Sequence, residues 1–196
     1  MFAPSIEDMY GKNHVTYVEP EGFDNIPEGR SRPGHFRGVA TIVTKLFNIV
    51  RPTNAYFGQK DAAQCCLIRR IVHDLDIDVN VVVKDTIRED DGLAMSSRNA
   101  YLNMDERRAA PIIYKALRSA KDEFTSNPRI ACEELASIVR ETLQSEPLLG
   151  EIEYISVDSR ATMRPINRVE EEGGVISLAC KVGSVRLIDN IILPGT

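Results

Sequence analysis

The sequence lacks the features that would indicate a membrane or secreted protein. No apolar run reaches the roughly 18 residues that a membrane-spanning helix needs, and the first residues lack the basic and then apolar layout of a signal peptide. The four cysteines include one adjacent pair and no C-x-x-C spacing, so neither a zinc site nor a disulfide framework is predicted. These absences favour a cytoplasmic protein in a reducing compartment, without a membrane partner.

Positive charge is also scarce. Lys and Arg number 24 against 29 Asp and Glu, and the formal net charge is -5. This balance argues against a nucleic acid or an anionic membrane held by bulk electrostatics, although it permits a local basic pocket. Hydrophobic residues make up 43% of the chain, which is enough for a globular protein with a sizeable core.

Hydrophobic spacing predicts a strand, a helix and a second strand in the first half of the chain. After short irregular elements in residues 1–34, apolar residues recur at helical spacing over 35–50. A short buried strand is predicted at 54–57, a helix at 61–75 and an alternating strand at 77–84. This order indicates a right-handed crossover in a parallel sheet, in which ligands bind beyond the carboxyl ends of the strands.

The second half of the chain predicts two helices followed by a small antiparallel sheet. Asn103 and Glu106 have the spacing of a capping box, and the apolar stripe after them predicts one helix as far as Phe124. Asn127 and Pro128 are predicted to begin a second helix. Three strand-like runs follow, at 151–157, 175–181 and 185–193, with a hairpin turn at Gly183 and Ser184.

A first polar cluster follows the first predicted strand. Gly58 allows a nucleotide to approach the backbone, Lys60 offers a cation for phosphate, and Asp61 could accept hydrogen bonds from a ribose. Gln64 lies one helical turn further on and would face the same side. The alternative is an ordinary turn into a helix, with Asp61 as its cap and Lys60 in solvent. These residues alone leave both interpretations open.

A second polar cluster, residues 88–99, follows the next predicted strand. Ser96 and Ser97 can direct hydroxyl and backbone donors toward anionic oxygens, and Arg98 offers a planar fork that matches two of them. The alternative is a polar linker whose serines cap the next helix. Because both clusters lie at the same edge of the predicted sheet, together they favour a site for a nucleotide polyphosphate.

Four segments carry a resemblance to a known family. They are residues 32–40, 57–61, 88–99 and 186–190, and they read RPGHFRGVA, FGQKD, REDDGLAMSSRN and RLIDN. In these segments, which occur in the family's order, the chain resembles the pantoate–β-alanine ligases, also called pantothenate synthetases. The similarity extends over nearly the whole chain.

The resemblance implies a fold and a reaction. The fold would be α/β, with the carboxyl-terminal portion of a Rossmann-like nucleotidylyltransferase domain and its parallel sheet at 1–86. A small α+β lid domain with antiparallel strands would occupy 87–196. The reaction would use ATP with Mg²⁺ to join pantoate and β-alanine through a pantoyl adenylate, releasing pyrophosphate and AMP. The enzyme would be a cytoplasmic homodimer.

The resemblance also implies roles for particular residues. Catalytic roles fall to Lys60 and Arg98, and pantoate binding falls to Gln64; no residue of this chain is implied as a metal ligand. The residues that would contact ATP are Gly58, Gln59, Lys60, Asp61, Ile87, Met95, Ser96, Ser97 and Arg98.

The chain also departs from the family. The His-x-Gly-His turn, an upstream glutamine that shares pantoate, and the acidic residues near magnesium are absent, and Ala63 replaces the first of two glutamines. We therefore expect the chain to correspond to the carboxyl-terminal two-thirds of such an enzyme, with little or no pantoate-dependent exchange of pyrophosphate into ATP. The alternative is a non-catalytic protein that binds nucleotide weakly, or that associates with a second subunit through the 35–50 helix.

Three further candidates remain open at the level of sequence. His35 could face the pocket or serve as a structural hydrogen-bonding residue. The acidic run after Arg88 could bind a metal, although Arg88 could instead pair with those carboxylates. Cys65 and Cys66 occupy helical positions and are predicted to pack in the core.

Overall fold

Two β-sheets organise the computed structural model, which describes residues 2–195. The first sheet pairs β1 (Asn54–Gly58) in parallel with β2 (Asn80–Lys84). The second is antiparallel, in the order β3 (Leu149–Ser159), β4 (Gly174–Val182) and β5 (Val185–Leu193). A parallel sheet and a separate antiparallel sheet, each accompanied by helices, confirm the predicted fold class.

Seven α-helices accompany these strands among the described residues. They are α1 (Ile6–Met9), α2 (Pro27–Ser31), α3 (His35–Val50), α4 (Ala62–Asp74), α5 (Met104–Ala109), α6 (Ile112–Ser126) and α7 (Cys132–Gln144). Short 3-10 helices lie at Phe23–Asn25, Gln59–Asp61 and Ser97–Tyr101. None of the helices in the described part of the chain is long and apolar enough to cross a membrane.

The first half follows the predicted order, with one shorter strand. Helix α3 has the predicted bounds: Gly34 precedes it with φ of 74°, and Arg51, with φ of 50°, ends it before Pro52. The strand predicted at 77–84 begins only at Asn80. The prediction was wrong for 77–79 because Ile77 still donates its N–H to the carbonyl of Val72 in α4, 3.0 Å away.

The second half corrects two helix predictions. The helix expected from Asn103 to Phe124 is interrupted at Pro111, which has no N–H to donate, so α5 and α6 are separate. The next helix begins at Cys132, not at Pro128, because the preceding residues form a turn in which Ile130 donates its N–H to Asn127. The capping box of Asn103 and Glu106 is confirmed.

Two hydrophobic clusters hold these elements together. The larger cluster packs α5, α6 and α7 against the antiparallel sheet. The smaller one packs α3 against α4 and also includes Met163 and Val175 from the second half of the chain. The antiparallel sheet therefore has buried contacts with both halves, and this brings β5 beside the beginning of α4.

Candidate active site

Both polar clusters follow the carboxyl ends of the two parallel strands. Gly58 is the last residue of β1 and pairs with Lys84, the last residue of β2. The chain then turns through the 3-10 helix Gln59–Asp61 into α4, and we call residues 58–61 the β1–α4 turn. The sequence predicted this shared edge from the order of the strands.

A cleft opens beside the β1–α4 turn, with about 530 Å³ of space including its mouth. Its walls come from the turn and the beginning of α4 on one side, from α2 and the beginning of α3 on another, and from the antiparallel sheet on a third. Of the predicted site residues, three line this cleft: Lys60, Asp61 and Gln64. The sequence therefore located one wall of it.

Lys60 is half-buried in the cleft wall. Burial lowers the pKa of its ammonium group, Asp61 and Asp189 oppose that effect, and the positive charge of Arg98 adds to it. The 3-10 helices that carry Lys60 and Arg98 both contact β5, which brings the two residues to the same side of the sheet although they are separated by a helix and a strand in the sequence. Two cations held near each other in this way suit a polyanionic ligand.

The second cluster contains a short hairpin, residues 87–95, closed by backbone hydrogen bonds. Glu89 donates to Leu93 and Met95 donates to Ile87, each over 2.9 Å. The exposed side chains of Ile87 and Met95 mark its open end. Neither Ile87 nor Met95 is among the described residues that line the cleft. A planar base would meet apolar surface here.

Of the two serines after the hairpin, Ser96 binds the local backbone and Ser97 is exposed. The Ser96 hydroxyl accepts a hydrogen bond from the N–H of Arg98 over 3.2 Å and caps the 3-10 helix Ser97–Tyr101. Ser97 and Arg98 are exposed, and the cleft walls, as far as the chain is described, include neither of them nor Ser96. The capping interpretation is thus correct for Ser96, and it leaves Ser97 and Arg98 accessible to a ligand.

Arg88 does not pair with the acidic residues that follow it. Its guanidinium instead makes two hydrogen bonds to the carboxylate of Asp189 in β5, over 2.6 and 3.0 Å. Asp91 pairs with Arg107 over 2.6 Å. Throughout residues 2–195 the structure brings no three His, Cys, Asp or Glu side chains into a group that could hold a metal ion.

Asn190, the next residue of β5, contacts the β1–α4 turn. Its amide nitrogen donates to the carbonyls of Gln59 and Lys60, over 3.0 and 2.8 Å, and its amide oxygen accepts from the side chain of Gln59 over 3.2 Å. The sequence signal for this contact was the RLIDN segment, which carried the family resemblance but received no role.

A charged cluster forms the opposite wall and was also missed. Arg186 binds Glu28 and Glu153, each over 2.8 Å, and the Tyr154 hydroxyl donates to Glu28 over 2.9 Å. Both Glu28 and Tyr154 line the cleft. These contacts fasten α2 to the antiparallel sheet, although the two are far apart in the sequence.

His35 lines the cleft and also makes a side-chain hydrogen bond, so the structure shows features of both interpretations left open by the sequence. Its Nε2 lies 3.1 Å from the guanidinium of Arg32. Because a guanidinium can only donate, Nε2 is the acceptor and the ring is neutral. Burial, and then the charge of Arg32, lower the pKa of His35 in agreement with that arrangement.

A buried carboxyl group lies at the base of the cleft. Asp158 accepts hydrogen bonds from the hydroxyls of Ser156 and Ser177. Burial raises the pKa of Asp158 to about 6, and the two hydroxyl groups only partly offset that effect. Nothing in its sequence context marked this residue as part of a site.

The adjacent cysteines pack in the core, as predicted. Cys65 and Cys66 are buried and free, and their thiols donate to the carbonyls of Gly58 and Ala161, each over 3.2 Å. Burial raises the pKa of Cys65 to about 11, so the thiol stays protonated near neutral pH.

Comparison with known proteins assigns the chain to a family. Residues 1–192 match the family model for pantoate-beta-alanine ligase. The chain is 48% identical over 195 residues to the pantothenate synthetase of Chloroflexus aurantiacus and 47% identical over 193 residues to that of Herpetosiphon aurantiacus. These alignments include 100% and 98% of this chain, and each spans 69% of the relative.

Solved structures agree with the sequence comparison. A pantothenate synthetase from Thermus thermophilus superposes with a TM-score of 0.89 and 39% identity, over 97% of this chain and 68% of that one. A pantoate-beta-alanine ligase from Francisella tularensis, complexed with beta-gamma ATP and beta-alanine, superposes with a TM-score of 0.69 and 36% identity, over 95% and 61% of the two chains. This chain belongs to the pantoate–β-alanine ligase family.

Proposed function

We propose that this chain forms the phosphate-binding part of a site that uses ATP to join pantoate to β-alanine through a pantoyl adenylate. The supporting observation is that the 3-10 helices that carry Lys60 and Arg98 both contact β5, and that Lys60 is half-buried in the cleft wall, where the charge of Arg98 acts on it. The name of the family, pantoate-beta-alanine ligase, identifies the two substrates that are joined. The complex of the Francisella relative with a nucleotide and β-alanine supports the use of ATP.

The reaction would proceed in two balanced steps. A carboxylate oxygen of pantoate attacks the α-phosphorus of ATP, the bond to the β-phosphate oxygen breaks, and pyrophosphate leaves. The amine of β-alanine then attacks the acyl carbon, the bond to the AMP oxygen breaks, and the amine loses a proton as pantothenate forms. Negative charge grows on pyrophosphate in the first step and on AMP in the second.

The residues of this chain would bind and orient the nucleotide and pantoate. Lys60 and Arg98, with Ser96 and Ser97, would hold the phosphates, where fixed cations stabilise a departing pyrophosphate more than the bound ATP. Gln64 would bind pantoate from the first turn of α4.

The β1–α4 turn and the hairpin would hold the nucleoside. Gly58 and Asp61 would contact the ribose, and the Gln59 backbone would lie beside the phosphates. The backbone of Ile87 and the side chain of Met95 would contact adenine, at the exposed apolar end of the hairpin.

Magnesium would enter with the phosphates of ATP. The described residues provide no cluster of acidic, histidine or cysteine side chains for it, and phosphate oxygens are ligands that Mg²⁺ prefers. We also propose a cytoplasmic homodimer. Exposed Ile49 and Val50 at the end of α3 support an apolar contact between subunits, and four free buried thiols support a reducing compartment.

ATP binding by the purified chain tests the phosphate site. We expect titration calorimetry to show binding that Lys60→Ala and Arg98→Ala each weaken by about tenfold or more, because a charge-assisted contact to phosphate is lost. Lys115→Ala and Arg140→Ala remove one exposed charge each from α6 and α7 and serve as matched controls. An unmodified chain that binds no ATP, or equal losses in all four variants, would contradict the proposal.

The fate of one oxygen atom tests the adenylate. In a preparation that forms pantothenate, pantoate labelled with heavy oxygen in its carboxylate should transfer one label to AMP, since that oxygen bridges the acyl group and the α-phosphorus. Label in inorganic phosphate, with ADP as product, would instead indicate an acyl phosphate.

A further inference from the structure

Two consecutive residues of β5 contact both of the segments that carry the phosphate-binding cations. Asp189 holds the 87–95 hairpin through Arg88, and Asn190 holds the β1–α4 turn through backbone carbonyls. The backbone N–H of Asn190 donates to the carboxylate of Asp189 over 2.8 Å and joins the two contacts. One continuous hydrogen-bonded unit therefore connects the turn, the strand and the hairpin.

The contact of Asp189 with the hairpin is buried, and both of its carboxylate oxygens accept a hydrogen bond from Arg88. The side chain of Asp189 is only 1% exposed, and Arg88 meets it with both terminal nitrogens. The same guanidinium donates to the carbonyl of Gly92 over 3.1 Å and lies 3.8 Å from the ring centroid of Tyr114. Arg88 is thereby committed to fixing the hairpin against β5 rather than to binding a ligand.

The contact with the turn fixes the backbone on which Lys60 is mounted. Asn190 is 4% exposed, and its one amide group donates to two successive carbonyls, those of Gln59 and Lys60. A side chain that grips the backbone on both sides of the Lys60 α-carbon sets where that side chain begins. The position of the Lys60 backbone, and with it the region that the ammonium group can reach, is therefore set by Asn190.

We propose that Asp189 and Asn190, which both line the cleft, are positioning residues that set the separation of Lys60 and Arg98, so that both cations meet one polyphosphate. This inference rests on the proposed function. It assigns to the RLIDN segment the task of joining the two phosphate-binding segments, which lie far from it in the sequence. The ligand class that depends on it is a nucleoside triphosphate.

The test compares ATP with adenosine, which lacks phosphates. We expect Asn190→Ala to raise the dissociation constant for ATP by about tenfold and to change that for adenosine by less than about twofold, because small displacements of a positioned cation are costly. Leu193→Ala, in the same strand but buried in the core with the helices of the second half, is the control for lost stability. It should leave the ratio of the two constants unchanged.

Hydrogen exchange of the nucleotide-free chain provides a second readout. Asn190→Ala should speed exchange in residues 58–62, and Asp189→Asn, which keeps the side-chain shape but removes the charge, should speed it in residues 87–95. Leu193→Ala should speed neither segment selectively. If Asn190→Ala does not fold, ATP binding is measured with Asp189→Asn instead. This variant should weaken the binding of ATP more than the binding of adenosine.

The outcomes separate this inference from the proposed function. Failure of the unmodified chain to bind ATP overturns the proposed function, and exchange in the two segments then decides the structural claim by itself. If the unmodified chain binds ATP, and Asn190→Ala leaves the ratio of the dissociation constants for ATP and adenosine unchanged, the positioning role is overturned. Exchange that stays unchanged in both segments also overturns it.

Discussion

Replacing Gly92 with alanine should strain the hairpin in two independent ways. Gly92 has φ of 92°, in the region that L-residues rarely adopt. A Cβ atom at this position would overlap Cδ1 of the Tyr114 ring and would lie 3.1 Å from Cε1 of the same ring. The ring cannot retreat freely, because its face packs against the guanidinium of Arg88.

The expected cost follows from adding the two terms. A left-handed backbone costs alanine about 1–2 kcal/mol, and forcing a methyl group into packed surroundings costs about 1–3 kcal/mol. Gly92→Ala should therefore lower the free energy of unfolding by roughly 2–5 kcal/mol. Gly34 is the matched control, since its φ is 74° and nothing lies within 4 Å of its added Cβ. Gly34→Ala should cost only the first term, about 1–2 kcal/mol.

Urea unfolding, followed by circular dichroism, measures both variants. The double variant Gly92→Ala/Tyr114→Ala separates the terms, because it removes the clash and keeps the strained backbone. Its cost should be smaller than the sum of the two single costs, since the methyl group then occupies the space left by the ring. Equal losses for Gly92→Ala and Gly34→Ala, or strict additivity in the double variant, would show that the ring does not confine this position.

Three other predictions concern buried charge and buried thiols. Because burial raises the pKa of Asp158 to about 6, the folded chain holds this proton more tightly than the unfolded chain. Its contribution to stability is full below about pH 4 and is lost as the pH rises through about 6, so Asp158→Asn should flatten that decline and gain roughly 2–3 kcal/mol near neutral pH. The check is urea unfolding across that range, and a variant with the pH profile of the unmodified chain would contradict it. Arg186→Met removes the cation that the partly buried carboxylates of Glu28 and Glu153 share and should cost about 2 kcal/mol in the same assay, whereas Lys181→Met, which breaks an exposed pair, should cost less than about 1 kcal/mol. Equal costs would show that the Arg186 cluster stabilises the fold no more than an exposed ion pair. The four cysteines are buried, so a thiol reagent should modify the native chain far more slowly than the urea-unfolded chain; rapid native modification would show that a thiol is accessible.

Local patterns in the sequence predicted the parts of the fold that depend on neighbouring residues. Helix α3 has its predicted bounds because glycine precedes it and a proline follows two residues after its end. The capping box at Asn103 formed because both of its partners lie within one turn. The wrong prediction of one helix from Asn103 to Phe124 also has a local cause. The apolar stripe continues on both sides of Pro111, and its spacing does not show that proline lacks the N–H that a continuous helix needs.

The first half of the candidate site could be located in the same way. Lys60, Asp61 and Gln64 line the cleft because a turn after a parallel strand must lie at the edge where ligands bind. For Ser96 and Arg98 two interpretations were open from the sequence. The Ser96 hydroxyl caps the 3-10 helix that carries Arg98, and the phosphate-binding role of both residues stays a prediction.

The other wall of the cleft depends on contacts that no local pattern encodes. Pairing of Arg88 with the acidic residues beside it was one possibility left open by the sequence, yet Arg88 crosses to Asp189, 101 residues later. The physical reason is burial. A carboxylate in solvent gains little from a guanidinium, while an almost fully buried one must have a partner, and Asp189 is the buried one.

The sequence placed both polar clusters at one edge of the parallel sheet, but it did not indicate what sets the distance between the segments that carry Lys60 and Arg98. Each segment is short, and its own residues explain its local structure: residues 58–61 form a turn, and residues 87–95 form a hairpin that Ser96 follows as a helix cap. The antiparallel sheet, built from the last part of the chain, holds both: Asp189 and Asn190 lie in β5, which pairs with β4 and contributes Leu187 and Leu193 to the core. A loop could carry the same two side chains, but it would let the separation of Lys60 and Arg98 vary, and a triphosphate would then bind only the fraction of molecules in which both cations reach it, which lowers its affinity.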